Sequence, residues 1–252
     1  MTGTEFGVMY FADANRRYRE MLDVSIASLR RQHPDWSVRV ETIPSFGVSP
    51  LRALYRAVSF WKRARRFDRA GQDRRVIAAK TDAWHRTPFD WTLFLDADTF
   101  VLRSLAEHAA NPGDADVITC RLGNSKYRGV EPWHPAEFPY LMSGVVFFGP
   151  RFLRRYREVA GRMATPVARL PTGDQYVFSL TCALFAEELR VVEDPKLQID
   201  VINMEHHLGT ADLPMRGPCI DLREPRLREF GVFHYNEYKP QYLAQIREVW
   251  GT

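Results

Sequence analysis

The chain reads as an α/β protein, with a mostly parallel central sheet flanked by helices. Three observations carry that expectation. Strand-like and helix-like segments alternate along most of the sequence, the ordering of β-α-β units. One apolar run, Leu93-Phe94-Leu95, reads as a buried strand and leads straight into Asp96-Ala97-Asp98. The 252 residues, 45% of them apolar, are enough for one domain that buries about three quarters of its unfolded surface.

Taken in order, Phe6 to Phe11 is a strand, and Tyr18, Leu22, Ile26 and Leu29 then recur at helical spacing through Arg31. Ser37 to Glu41 alternates as a second strand, and Pro44 to Pro50 is a loop. A basic helix is expected from Leu51 to Arg69, another from Val76 to His85, and then the strand that ends at Asp96. Asp116 to Thr119 is a short strand, and Arg121 to Pro139, with Gly123, Gly129, Pro132 and Pro135, is a long functional loop. Leu141 to Phe148 is a strongly apolar strand, Phe152 to Met163 a helix, and Gly173 to Glu188 another. Beyond Pro195 only short strand-like pieces near Val201 and Val232 and a closing helix, Gln241 to Trp250, stand out.

Composition removes several classes of function. No stretch approaches the ~20 apolar residues of a membrane span, and the first residues do not resemble a signal peptide. A soluble, cytoplasmic protein is expected. Cys120, Cys182 and Cys219 are odd in number and lack paired spacing, which argues against a disulfide framework or a zinc site. The net charge of +4, from 35 basic and 31 acidic residues, favours small anions without pointing to nucleic acid. A denser basic stretch from Arg52 to Arg75 is either a solvated face or a surface for an anionic acceptor, partner or membrane.

A buried strand should carry no charge unless the charge is used, because an unpaired buried carboxylate costs several kcal/mol or neutralises itself. Two acids at i and i+2 on an extended backbone point the same way, so Asp96 and Asp98 can share a hard divalent cation. A diphosphate is the metal-dependent substrate this suggests. Neither the Gly-x-Gly-x-x-Gly fingerprint nor the P-loop occurs, so phosphate has to be held by metal and a few cations. In such sheets ligands sit at the carboxyl ends of strands, where the Asp pair and the turn after Phe11 both lie.

Ala79-Lys80-Thr81-Asp82-Ala83-Trp84 followed by Leu93-Phe94-Leu95-Asp96-Ala97-Asp98-Thr99-Phe100-Val101-Leu102 resembles the family 8 glycosyltransferases. These have the GT-A fold, a Rossmann-like nucleotide-diphospho-sugar transferase architecture, and include glycogenin and bacterial lipopolysaccharide galactosyltransferases. Tyr18 with Ser28-Leu29, Met142-Ser143-Gly144-Val145, Gly173-Asp174-Gln175, and His234-Tyr235 through Lys239-Pro240 resemble further family motifs in the family's order. The step from His234 to Lys239 is one residue shorter than the family's, and Gln241 follows Pro240. The resemblance implies one domain over 1–252, with 1–120 mainly nucleotide-binding and 121–252 mainly on the acceptor side.

It also implies roles. Asp96, Asp98 and His234 would ligate Mn²⁺ or Mg²⁺, the nitrogen ligand tilting the choice toward Mn²⁺. Lys239 and Lys80 would supply positive charge to the phosphates and the donor. Tyr18 would stack on the base, and the backbone of Phe11-Ala12 would bind its edges. Ala97, Ser143 and Gly144 would complete donor binding, while Asp174 and Gln175, with Lys80, would face the sugar. The activity implied is metal-dependent transfer of a sugar from a nucleoside diphosphate, expected to be UDP, with retention of anomeric configuration.

Duller readings stand beside these. His234 can be a core histidine, Lys80 a lysine snorkelling from a helix, Tyr18 helix core, and Asp174 an N-terminal cap. His206 and His207, beside Glu205, are poor ligands because adjacent side chains diverge. Phosphatases of the haloacid dehalogenase type are excluded by Phe100, where they carry Thr or Val. A sugar-nucleotide nucleotidyltransferase lacks its glycine loop here, and a non-catalytic sugar-nucleotide-binding scaffold has only the short His234–Lys239 step in its favour. The acceptor, anionic or aromatic, is expected at the 121–139 loop, with Tyr127, Trp133, His134 and Phe138.

Overall fold

A computed structural model describes residues 5–13, 16–43, 79–80, 82–110, 113–121, 140–163, 173–201, 208, 213–235 and 239–251. The expected loop over 44–50, the basic helix over 51–69, residues 122–139 of the long loop, and His206 and His207 lie outside them.

A six-stranded sheet runs in the order β2-β1-β3-β6-β5-β7. Its strands are β1 (Phe6–Asp13), β2 (Val38–Ile43), β3 (Trp91–Asp96), β5 (Val117–Thr119), β6 (Val145–Phe148) and β7 (Val191–Glu193). β2, β1 and β3 are mutually parallel, as are β5 and β7, and β6 alone runs antiparallel to its neighbours β3 and β5. A smaller sheet orders β4 (Thr99–Val101), β11 (Val232–His234) and β8 (Gln198–Asp200), with β11 antiparallel to β4 and parallel to β8. β9 (Met215–Arg216) and β10 (Cys219–Ile220) form a hairpin.

The central strands are largely apolar because both faces are covered. On one face Met9, Phe94, Val146 and Phe148 pack against Trp84, Phe152, Tyr156 and Phe178, the last three from α3 (Pro150–Met163) and α4 (Gly173–Leu184). On the other, Val8, Tyr10, Leu93, Leu95 and Phe147 meet Leu22 and Leu29 of α1 (Arg16–Gln32). A third cluster joins Met21 and Val24 of α1 to Phe100, Ile199 and Phe233 of the small sheet. Tyr242, Leu243 and Ile246 of α5 (Lys239–Trp250) complete it. The short helix α2 (Ala106–Ala110) follows β4. No helix among the described residues is long and apolar enough to cross a membrane.

Boundaries differ from expectation where backbone is diverted. The strand expected from Leu141 begins at Val145, since Leu141 makes only an isolated bridge to Arg121 and Ser143-Gly144 bends toward β3. The helix expected to reach Glu188 ends at Leu184 in a run of turns. The helix after β6 starts at Pro150, whose fixed φ and missing N–H suit a first helical position. The strand-like piece near Val201 is Gln198–Asp200.

Candidate active site

β3 delivers Asp96 to the carboxyl edge of the sheet, in register with Phe11 of β1. Because β6 is antiparallel, its start lies where β3 ends, and the Asp96 amide donates to the Gly144 carbonyl at 2.9 Å. The chain then turns through Ala97, which is buried, into β4, placing Asp98 beside β11. The Tyr235 amide donates to the Asp98 carbonyl at 3.0 Å, and His234, the last residue of β11, pairs with Thr99. Two carboxylates and an imidazole from distant segments thereby meet, with ligand atoms of Asp96, Asp98 and His234 all within 4.8 Å of one another.

His234 Nε2 lies 3.4 Å from Asp98 Oδ1 and 3.9 Å from Asp96 Oδ2. Gly144 is required at this point. A Cβ there would sit 2.7 Å from His234 Cε1, 2.9 Å from its Nδ1 and 3.1 Å from Asp96 Oδ2, so any side chain would invade the cluster. A compact set of two carboxylates and one nitrogen, walled by bare backbone, fits a divalent cation, and the nitrogen suits Mn²⁺ better than Mg²⁺.

Two lysines flank the set. Lys80, 8% exposed, places its ammonium 2.9 Å from Asp96 Oδ1 and 2.6 Å from Asp174 Oδ2. Asp174, in the first turn of α4, also accepts from Ser143 Oγ at 3.1 Å. Gln175 follows it on α4 and is half-buried. Lys239 opens α5, donates to Asp98 Oδ2, and holds its ammonium 5.5 Å from the centre of the Tyr18 ring. Tyr18 is 37% exposed, which removes the helix-core reading and leaves its ring at the rim of the site. The side chain of Phe11 is buried in the core, and Ala12 lies past the last β1–β3 register pair while still paired with Thr42 of β2. The structure therefore gathers Lys80, Asp96, Asp98, Ser143, Gly144, Asp174, His234, Lys239 and Tyr18, with Phe11-Ala12 on the same sheet edge.

Charge decides protonation here. For Lys80, burial opposes the charged form, but Asp174 and Asp96 outweigh it and raise its pKa. Burial likewise opposes protonation of His234, yet the Asp98 carboxylate and the hydrogen bonds to Asp200 and Asp98 push it up to about 10. The two carboxylates of the motif separate. Burial, reinforced by Asp98, raises Asp96 against the pull of Lys80. Burial acts on Asp98 too, but Lys239 and His234 hold it far below the usual carboxylate range.

Two residues of the site escaped sequence reading. Asp200 Oδ2 lies 3.2 Å from His234 Nδ1, and the Gln198 amide nitrogen is 3.4 Å from the same atom. The available signal was polar residues at alternate positions of Leu197-Gln198-Ile199-Asp200.

No protein-family model matches the sequence, and no curated protein sequence does. Solved structures do. The galactosyltransferase LgtC, in complex with donor and acceptor sugar analogs, aligns with a TM-score of 0.56 over 98% of this chain and 96% of its own, at 15% identity. A glycosyltransferase involved in glycosylation of the major capsid of PBCV-1 aligns with a TM-score of 0.53 over 96% and 99%, at 12% identity. Mouse xyloside xylosyltransferase 1 gives 0.53 over 93% and 99%, at 14% identity. The fold is that of the GT-A glycosyltransferases.

Proposed function

We propose that the chain is a single-domain, metal-dependent glycosyltransferase that moves a sugar from a nucleoside diphosphate, with UDP as the expected nucleotide, to an acceptor with retention of anomeric configuration. The observation that carries this reading is the meeting of Asp96, Asp98 and His234 beside the Lys80–Asp174 pair at the carboxyl edge of a GT-A sheet. Asp96, Asp98 and His234 would hold Mn²⁺ or Mg²⁺, which as a Lewis acid would supply charge stabilisation to the departing diphosphate. Lys239, at the start of α5, is within reach of the same space and adds positive charge where phosphate oxygens would lie. Tyr18 offers an exposed ring face for the base. Lys80, fixed by Asp96 and Asp174, presents a preorganised cation to the sugar side, and Asp174 and Ser143 offer hydrogen-bonding groups for donor hydroxyls.

The test is calorimetric titration of UDP into the protein with and without Mn²⁺. Metal-dependent binding that disappears in Asp98→Ala is expected; equal binding by the variant, or without metal, would sink the site assignment. A screen of UDP- and GDP-sugars for metal-dependent hydrolysis needs no acceptor and identifies the donor. Once a product exists, the coupling of its anomeric proton decides between retention and inversion.

A further inference from the structure

Asp200 is a carboxylate for which the reading above has no use. It sits in β8 at 3% exposure, where an unpaired charge is strongly disfavoured. β8 and β11 are parallel neighbours with Asp200 opposite His234, and laterally paired residues project to the same face of a sheet. That register sets the carboxylate beside the ring, Oδ2 3.2 Å from Nδ1, while Nε2 looks to Asp98 and Asp96 at 3.4 and 3.9 Å. A carboxylate only accepts hydrogen bonds, so it selects the ring form that carries hydrogen on Nδ1. The Gln198 amide nitrogen, 3.4 Å from the same Nδ1, can only donate and so favours the opposite form, but it is neutral and farther away than the charged Asp200 carboxylate, whose charge-assisted bond is the stronger.

We propose that Asp200 is a positioning residue for the metal site: by accepting the Nδ1–H of His234 it fixes the ring plane and tautomer so that Nε2 faces the space shared by Asp96 and Asp98. The proposal rests on the reading of that space as a divalent-cation site. Asp200 belongs to none of the motifs that carry the family resemblance, and it acts through His234 without touching the donor. Outer partners of this kind typically govern about 10- to 100-fold in metal affinity.

The experiment measures Mn²⁺ binding by electron paramagnetic resonance without nucleotide, in the wild type, Asp98→Ala, Asp200→Asn and Asp200→Leu. The wild type is expected to bind and Asp98→Ala to fail. Asp200→Leu should bind about 100-fold and Asp200→Asn about tenfold more weakly, since the amide still offers an accepting oxygen without enforcing it. Electron spin-echo modulation from the imidazole nitrogen bound to Mn²⁺ should persist in Asp200→Asn and vanish in Asp200→Leu, a signature that general loosening of the fold does not produce. Circular dichroism confirms folding of each variant, and Asp200→Asn carries the test if the leucine variant is unfolded. Wild-type affinity and unchanged nitrogen modulation in the folded variants would overturn the role of Asp200. A wild type that binds no better than Asp98→Ala would instead remove the metal site itself, and the proposal with it.

Discussion

Lys80 shows how much one side chain can be asked to hold. Its ammonium neutralises Asp96 and Asp174 together, yet these respond in opposite directions. Burial outweighs Lys80 at Asp96, where Asp98 adds repulsion; at Asp174 burial is overcome by Lys80 and by hydrogen bonds from Ser143 and the Gln175 backbone, and the pKa falls. Lys80→Met should therefore lower kcat by about 10²–10³ and destabilise the fold by about 1–3 kcal/mol, because two half-buried carboxylates lose their charged partner. Donor hydrolysis and urea denaturation measure the two effects, and an unchanged kcat would remove Lys80 from the reaction. His234 makes a second prediction, about pH. Its pKa stands at about 10 in the fold against 6.5 as a free side chain, so between those values the folded state binds more protons than the unfolded one. Stability from this group is complete below pH 6.5 and is lost as pH rises through about 10. With EDTA present, the difference in Tm between wild type and His234→Asn should shrink across that interval; a constant difference would contradict the assignment.

At the scale of elements, α1 does more than cover a sheet face. Ser28 Oγ accepts from the Val101 amide at 2.9 Å and donates to the Ser25 carbonyl at 2.7 Å. Ser25 Oγ meets Thr99 Oγ1 at 2.9 Å, and Thr99 Oγ1 donates to the Asp96 carbonyl at 2.7 Å. Buried hydroxyls thus tie the helix to the turn that carries the Asp pair. Ser28→Ala would strand the Val101 amide and should cost about 1–3 kcal/mol in urea denaturation; a cost near zero would mean the amide finds another partner. None of this was legible in sequence, where Ser25 and Ser28 are two polar residues within an amphipathic helix. β4 was missed for a related reason. Thr99-Phe100-Val101 has too little length for a local signal, and its strand character comes from pairing with β11 far along the chain. By contrast, β1 and β3 were plain because sheets covered on both faces demand uninterrupted apolar runs. α5 was visible through its apolar spacing, and only its first residues, Lys239-Pro240, lay beyond the expected start.

For the molecule as a whole, the motifs preserved order while geometry supplied proximity. Asp96 was singled out from a local pattern and Ser143, Asp174, His234 and Lys239 through the family resemblance, but that they surround one space follows from the reversed direction of β6 and from β11 joining β4. Asp200 escaped because its meaning depends on a lateral partner in another strand. A fold shared with LgtC at 15% identity shows how few side chains the architecture itself dictates. Ligands that bind only the assembled site should stabilise every element at once. With Mn²⁺ saturating, UDP at about 100 times its dissociation constant should add about 2.7 kcal/mol. A thermal-shift assay should register the gain and EDTA should abolish it, whereas an unchanged Tm would argue against metal-dependent binding at the site.

The position of β11 and α5 after all six strands of the large sheet has a consequence for synthesis. A nascent chain can collapse its large sheet once β7 has emerged, since all six strands are then present. His234 and Lys239 arrive only later. Until they do, Asp98 has neither of its cationic partners and the smaller sheet lacks its middle strand. On that order the growing polypeptide can fold its large sheet before Asp96, Asp98 and His234 can meet, and the cluster closes only once β11 and the start of α5 have emerged.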